Sequence, residues 1–77
     1  MNIEERYNNV LKDSELDYPL NEYDALDAIE LLLLLENEFK IRLDDDRVSN
    51  FKTHEDFISY IKLLRSILIV KQILRYL

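Results

Sequence analysis

Asp24-Ala25-Leu26-Asp27-Ala28-Ile29-Glu30-Leu31 opens a helix. Asp24 is a good N-cap, because its carboxylate can accept a backbone N–H that the first turn leaves without a partner. Asp27 then sits at the third helical position, near the positive end of the helix dipole. The stretch continues through Leu31 to Leu35 and on to Phe39, so the helix should run to about residue 39. Five adjacent leucines cannot all face one core. At about 100° per residue, Ala28, Ile29, Leu32, Leu35 and Phe39 form one face, the expected core side. Leu26, Leu33 and Leu34 fall on the side shared with Asp27, Glu30, Asn37 and Glu38. That side is a charged surface carrying leucines. Either a loop or the C-terminal segment covers them, or a partner docks there.

Working outward, Asn2 with Glu5 reads as a capping-box-like start. Ile3, Tyr7, Val10 and Leu11 then recur at helical spacing and give a short amphipathic first helix. Residues 13–23 hold Asp13, Ser14, Asp17, Pro19 and Asn21, which are loop types. Leu16, Tyr18, Leu20 and Tyr23 punctuate that loop and should pack back on the core. Beyond the central helix, Asp44-Asp45-Asp46 can cap a short helix through Val48 and Asn50. The triplet lacks the glycine and later carboxylate of a calcium loop, so it reads as a solvated helix start and no metal site is expected. Thr53 with Asp56 forms a capping box for a last helix carrying Phe57, Ile58 and Ile61. His54 has no second histidine or cysteine anywhere to work with, and is read as a plain surface residue.

From Lys62 to Leu77 there are four basic residues and no acidic ones, while the remainder carries sixteen acids against six bases. Leu63, Ile67, Val70, Leu74 and Leu77 step by four and three, a heptad-like stripe. Leu64, Leu68, Ile69 and Ile73 add apolar surface on other sides. No Gly or Pro stops the helix after residue 61, so it should continue. A basic apolar helix could lie on anionic lipid. Its cations do not keep to one face, however, because Lys71 and Arg75 rotate away from Lys62 and Arg65. Packing against protein is the expectation: the helix either bends back onto its own domain, filling space left by the short loop, or pairs with a second copy or a partner, and the lack of Gly or Pro near Leu64 to Ser66 favours pairing.

At 77 residues the chain allows one small domain, and its net charge of −6 argues against nucleic-acid binding. No cysteine is present, which suits a reducing compartment, and no glycine, which suits helices better than hairpins. The first residues lack the basic start and apolar run of a secretory signal. No stretch is long and apolar enough for a spanning helix. These features together point to the cytoplasm. With one histidine, and no Ser-His-Asp or Cys-His set, an enzyme is not expected.

Asp24 to Leu31 resembles the modification motif of acyl carrier proteins, D-S-L-D-x-[IV]-E-L. Leu35-Glu36-Asn37-Glu38-Phe39 is similar to the family's L-E-x-E-F helix end, and Ile41-Arg42-Leu43-Asp44-Asp45 to the stretch that follows it. Thr53 to Ile61 resembles its T-x-x-D-[FL]-x-x-[YF]-[IV] last helix. The resemblance implies an all-α, four-helix carrier domain over residues 1–64, with residues 65–77 as a helical extension. It implies a carrier of acyl or aminoacyl thioesters on a phosphopantetheine arm, in fatty-acid, polyketide or nonribosomal-peptide biosynthesis. Asp24 and position 25 would be the attachment dipeptide. Leu26, Asp27, Glu30, Leu33 and Glu36 would be the recognition face for a phosphopantetheinyl transferase and acyl-chain-processing enzymes with basic patches. Ile29, Leu35, Phe39 and Ile61 would line the core or an acyl pocket.

Three departures matter. The loop before the second helix is about half the family's usual length, and the C-terminal extension has no counterpart. Most important, the attachment serine is Ala25, which has no oxygen to carry the arm. The neighbours Asp24, Leu26, Asp27 and Glu30 stand intact around this one change. That pattern resembles a deliberate Ser→Ala substitution; the alternative is a natural unmodified pseudo-carrier acting as scaffold or regulator.

Overall fold

The computed structural model describes residues 1–75 and is all-helical among them. Helix α1 spans Ile3–Asp13, α2 Ala25–Phe39, α3 Asp45–Val48 and α4 His54–Arg75. The expected four-helix architecture with an extended last helix is therefore what forms.

Each helix starts where a side chain can take up loose backbone donors. Asn2 Oδ1 accepts the Glu5 N–H at 2.8 Å, and the Asn2 amide donates to the Glu5 carboxylate at 3.1 Å. Asp24 Oδ1 accepts the Asp27 N–H at 2.8 Å, and Asp44 Oδ1 accepts that of Asp46 at 3.0 Å. Ahead of α4, Asp56 Oδ2 accepts from the Lys52 and Thr53 amides at 2.9 and 3.1 Å, while the Asp56 N–H donates to Thr53 Oγ1 at 3.3 Å. Those two backbone donors hold the Asp56 carboxyl below its ordinary value. The capping boxes read from Asn2 and Thr53 both exist.

The core joins Tyr7 and Leu11 of α1, Leu16 of the loop, Leu31, Leu35 and Phe39 of α2, Leu43, and Phe57, Ile58, Tyr60 and Ile61 of α4. The loop does fold inward: Leu16 is buried, Tyr18, Leu20 and Tyr23 pack against the core, and one 3-10 turn covers Leu20–Glu22. On the surface, Arg6 pairs with Glu38 at 3.0 Å and stacks over Phe39, and Lys62 pairs with Glu4 at 2.8 Å. Arg6, near the start of α1, thus meets the end of α2, so the two helices are antiparallel.

The buried face of α2 is rotated from the expected one. Leu31, Leu35 and Phe39 are buried, whereas Ala28 and Ile29 are exposed. Leu34, expected outside, is half-buried in a groove with Val10 and Ser14. The cause lies outside the helix. The loop holds Asp27 through Tyr18 on one side, and α1 packs against α2, so the inward face follows the row 27-31-35-39.

Chain reversal without glycine leaves two of the described residues in the left-handed region, Glu15 at φ 59° and Lys40 at φ 55°. Lys40 ends α2, and its N–H donates to the Glu36 carbonyl. Glycine alone adopts this conformation without a Cβ penalty. Lys40→Gly should therefore raise the unfolding free energy by about 0.5–1 kcal/mol in urea titration. An unchanged or lowered midpoint would mean that the Lys40 side chain supplies an interaction absent from this account.

Helix α4 continues past its buried part with no break at Leu64 to Ser66. Leu63, Ile67, Val70 and Leu74 are all at least two-fifths exposed, so the stripe does not bend back onto its own domain. Leu77 lies outside the described residues. The helix leaves the core near the end of α2, where an Arg65 guanidinium N–H reaches the Phe39 carbonyl at 3.5 Å.

Candidate functional site

Four of the residues that the sequence marks as functional, Ala25, Leu26, Glu30 and Leu33, lie on the outward side of α2. Ala25 is its first helical residue and is exposed. Successive turns then set Leu26 (76% exposed), Ile29 (55%) and Leu33 (60%) in one apolar strip, with exposed Glu30 among them. Ile29, assigned to the core or acyl pocket, belongs to this strip instead. The same rotation that buries Leu31 turns Ile29 out. The other three residues of that set, Leu35, Phe39 and Ile61, are buried in the core.

Two of the expected recognition residues already have work within the domain. Asp27 is half-buried, and its Oδ2 accepts the Tyr18 hydroxyl at 2.6 Å. Glu36 is half-buried, and its Oε2 accepts the Leu43 N–H at 2.9 Å, tying down the segment after α2. Both flank the strip of Leu26, Glu30 and Leu33 rather than standing free on it.

The strip sits in a negative field. Asp27 accepts the Tyr18 hydroxyl, and the charges of Asp27, Asp24 and Glu30 surround it, which pushes Tyr18 up to about 12. Tyr23 is also pushed up to about 12, first by burial and then by Tyr18, Asp27, Asp17 and Glu30. No lysine or arginine interrupts α2.

The sequence reading missed His54, which is not a plain surface residue. It is half-buried, with Nε2 2.7 Å from the Tyr18 carbonyl and Nδ1 2.7 Å from the Tyr7 hydroxyl. A carbonyl can only accept, so Nε2 carries the proton, and in the neutral ring Nδ1 accepts from Tyr7. Tyr7 and Tyr23 each pack edge-on to the ring, at 5.6 and 5.5 Å between centroids. A chain of contacts thus runs from α1 through His54 and Tyr18 to Asp27 in the first turn of α2. One signal in the sequence was available: Tyr7 lies on the apolar stripe of α1, and a buried tyrosine hydroxyl needs a polar partner.

A phosphopantetheine arm needs an oxygen at position 25. The Ala25 methyl offers none, so the residues present do not fit that group. The position itself is open, at a helix start and clear of the core. Among the described residues no cluster of His, Cys, Asp or Glu is arranged to hold a metal ion, and no helix is long and apolar enough to cross a membrane. A groove of about 660 Å³ lies between Pro19-Leu20-Asn21 and Phe51 to His54 and is lined by no residue of α2.

With that geometry in view, the chain is similar to proteins named acyl carrier protein. It is 36% identical over 55 residues to one from Helicobacter hepaticus, covering 71% of each chain. It is 35% identical over 60 residues to an acyl carrier protein homolog from Mycoplasma genitalium, covering 75% of this chain and 71% of the relative. A 46% match to one from Phytoplasma australiense covers 39 residues, so there the chain spans about half the relative's length. No protein-family model and no solved structure matches the chain.

Proposed function

The chain belongs to the acyl carrier protein family, and on that premise we propose that its domain is built to present acyl or aminoacyl thioesters to biosynthetic enzymes, in a form that Ala25 prevents from being loaded. The observation that carries this reading is the first turn of α2: an open position 25 beside an exposed strip of Leu26, Glu30 and Leu33 in a negative field. Ala25 is then a substituted serine beside otherwise intact motif residues Asp24, Leu26, Asp27 and Glu30. An Ala25→Ser form would take 4'-phosphopantetheine from a phosphopantetheinyl transferase in the cytoplasm. The domain catalyses nothing itself. It offers a rigid helix start for the arm, and apolar side chains ringed by acids for basic partners to grip. Asp27 and Glu36 serve this face indirectly, by fixing α2 against the loop and against Leu43.

A second reading is a natural pseudo-carrier that never holds cargo and acts as a scaffold or regulator. The intact exposed strip and the uncovered apolar end of α4 favour it, since both suit protein contacts alone.

Docking tests the shared element. The chain as it stands should bind a phosphopantetheinyl transferase, and Glu30→Lys should weaken that binding while leaving helicity nearly unchanged. Glu30 is exposed and its side chain makes no hydrogen bond among the described residues, so its reversal should move stability by only about 0.5 kcal/mol. Added salt should also lower the affinity, since exposed charges are screened over about 8–10 Å. A calorimetric binding constant indifferent to both reversal and salt would defeat the assignment of the face.

A further inference from the structure

The part of α4 beyond the core, residues 66–75, is apolar on several sides and exposed throughout. Ile67, Leu68, Ile69, Val70, Ile73 and Leu74 are each more than 40% exposed. Burying a Leu or Ile is worth about 1.5–3 kcal/mol, so these residues strongly favour a cover. The domain borders this end of α4 only at its root, where Lys40, Ile41 and Arg42 line a groove with Leu64, Ile67, Leu68 and Lys71. We infer that the cover is the α2 strip of a second copy of this chain, in a reciprocal dimer where each α4 end lies on the other's Leu26-Ile29-Leu33 strip.

Charge selects this occupant over the simplest one, a second α4. Lys62 is paired with Glu4 and Arg65 reaches the Phe39 carbonyl, so the projecting end carries Lys71 and Arg75 as its own charge. There is no acid on this helix after Asp56. Two such ends side by side would set like charges together along an apolar seam, which is destabilising. The α2 strip is its complement. Its leucines and isoleucine are exposed, Glu30 stands among them, Asp24 caps its start, and α2 bears no base.

The lengths of the two elements match. Helices α2 and α4 start at the same end of the bundle, since His54 is bonded to Tyr18 and Tyr18 to Asp27. At the other end Arg65 meets Phe39, and α4 runs on past the end of α2 beside Lys40 to Arg42. Its last ten residues rise about 15 Å, and the strip from Leu26 to Leu33 spans about 10 Å, at roughly 1.5 Å per residue. A two-fold axis perpendicular to α4 lays each projecting end antiparallel to the other copy's α2. That brings Lys71 and Arg75 alongside Glu30 and Asp24 of the second copy. A closed two-fold arrangement buries the contact twice, toward the roughly 1,200–2,000 Å² of specific interfaces.

Sedimentation of the whole chain over a range of concentrations tests this. A monomer–dimer equilibrium is expected, weakening with salt. Lys71→Glu with Arg75→Glu, and separately Glu30→Lys, should each weaken the dimer about tenfold or more, because each puts like charges into both contacts. All three changes together should restore most of the affinity. Circular dichroism of each variant guards against reading unfolding as dissociation. Three outcomes overturn the inference: a monomer at every concentration, a dimer that Glu30→Lys leaves untouched, which would mean paired α4 ends, or a monomer that binds phosphatidylserine vesicles. That the dimer hides a recognition face rests on the carrier reading. Lys71→Glu with Arg75→Glu should then strengthen transferase binding. If no serine form is ever loaded, the carrier reading fails and the dimer stands.

Discussion

An Ala25→Ser chain incubated with coenzyme A and a phosphopantetheinyl transferase is expected to gain the mass of one phosphopantetheine arm, whereas the chain as it stands gains none. The contrast is all-or-none because the phosphodiester is made to an oxygen, and the alanine methyl has no atom that could take its place. The surroundings favour the serine. Residue 25 is exposed at the first position of α2, and Asp24 caps the helix without using the side chain of residue 25. An exposed Ala-to-Ser change there should shift stability by only about 0.5 kcal/mol, so a failure to load could not be blamed on unfolding. Mass spectrometry of the intact protein reads the result directly. A serine form left unmodified by several transferases would remove the carrier reading and leave the pseudo-carrier.

The helices of this protein were legible because their starts are written in short-range chemistry. Asn2, Asp24, Asp44 and Thr53 each cap the backbone a few residues ahead, and no distant partner is needed to make that bond. The inward turn of the loop was legible too, since Leu16, Tyr18 and Tyr23 have no other reason to interrupt a polar segment. The facing of α2 was not. With leucine at five consecutive positions, apolar residues lie all round the helix, and the sequence alone leaves its rotation open. Contacts from elsewhere settle it: Tyr18 on Asp27, Val10 beside Leu34, and Arg6 over Phe39. Ala28 and Ile29, expected inside, lie outside for that reason, and Leu31 is buried. Of the residues assigned to the recognition face, Leu26, Glu30 and Leu33 are exposed. The structural bonds of Asp27 and Glu36 were invisible, because their partners Tyr18 and Leu43 lie in segments without regular periodicity.

The role of His54 was the largest omission, and it leads to the second large effect. His54→Ala should lower the unfolding free energy by about 2–6 kcal/mol. Tyr7 is fully buried, and without the imidazole its hydroxyl loses its acceptor, which costs about 1–3 kcal/mol. Loss of the two edge-on aromatic contacts adds about 0.5–1.5 kcal/mol each at most. In a domain of this size that is a large share of a total of roughly 5–15 kcal/mol. The hydrogen bond can be isolated from the packing. Tyr7→Phe removes the hydroxyl, so in that background His54→Ala leaves nothing unsatisfied at Tyr7. The two costs should therefore be less than additive, with a coupling of about 1–2 kcal/mol in urea unfolding. Strict additivity would mean that the Tyr7–His54 bond contributes nothing. The effect should also reach the candidate site. His54 holds the Tyr18 backbone, and Tyr18 holds Asp27 in the first turn of α2. Amide hydrogen exchange at Asp27 and Ala28 should accelerate in His54→Ala more than exchange at Leu35, where α2 is held by the core. Equal acceleration along the helix would show that His54 stabilises the domain as a whole and does not position the start of α2.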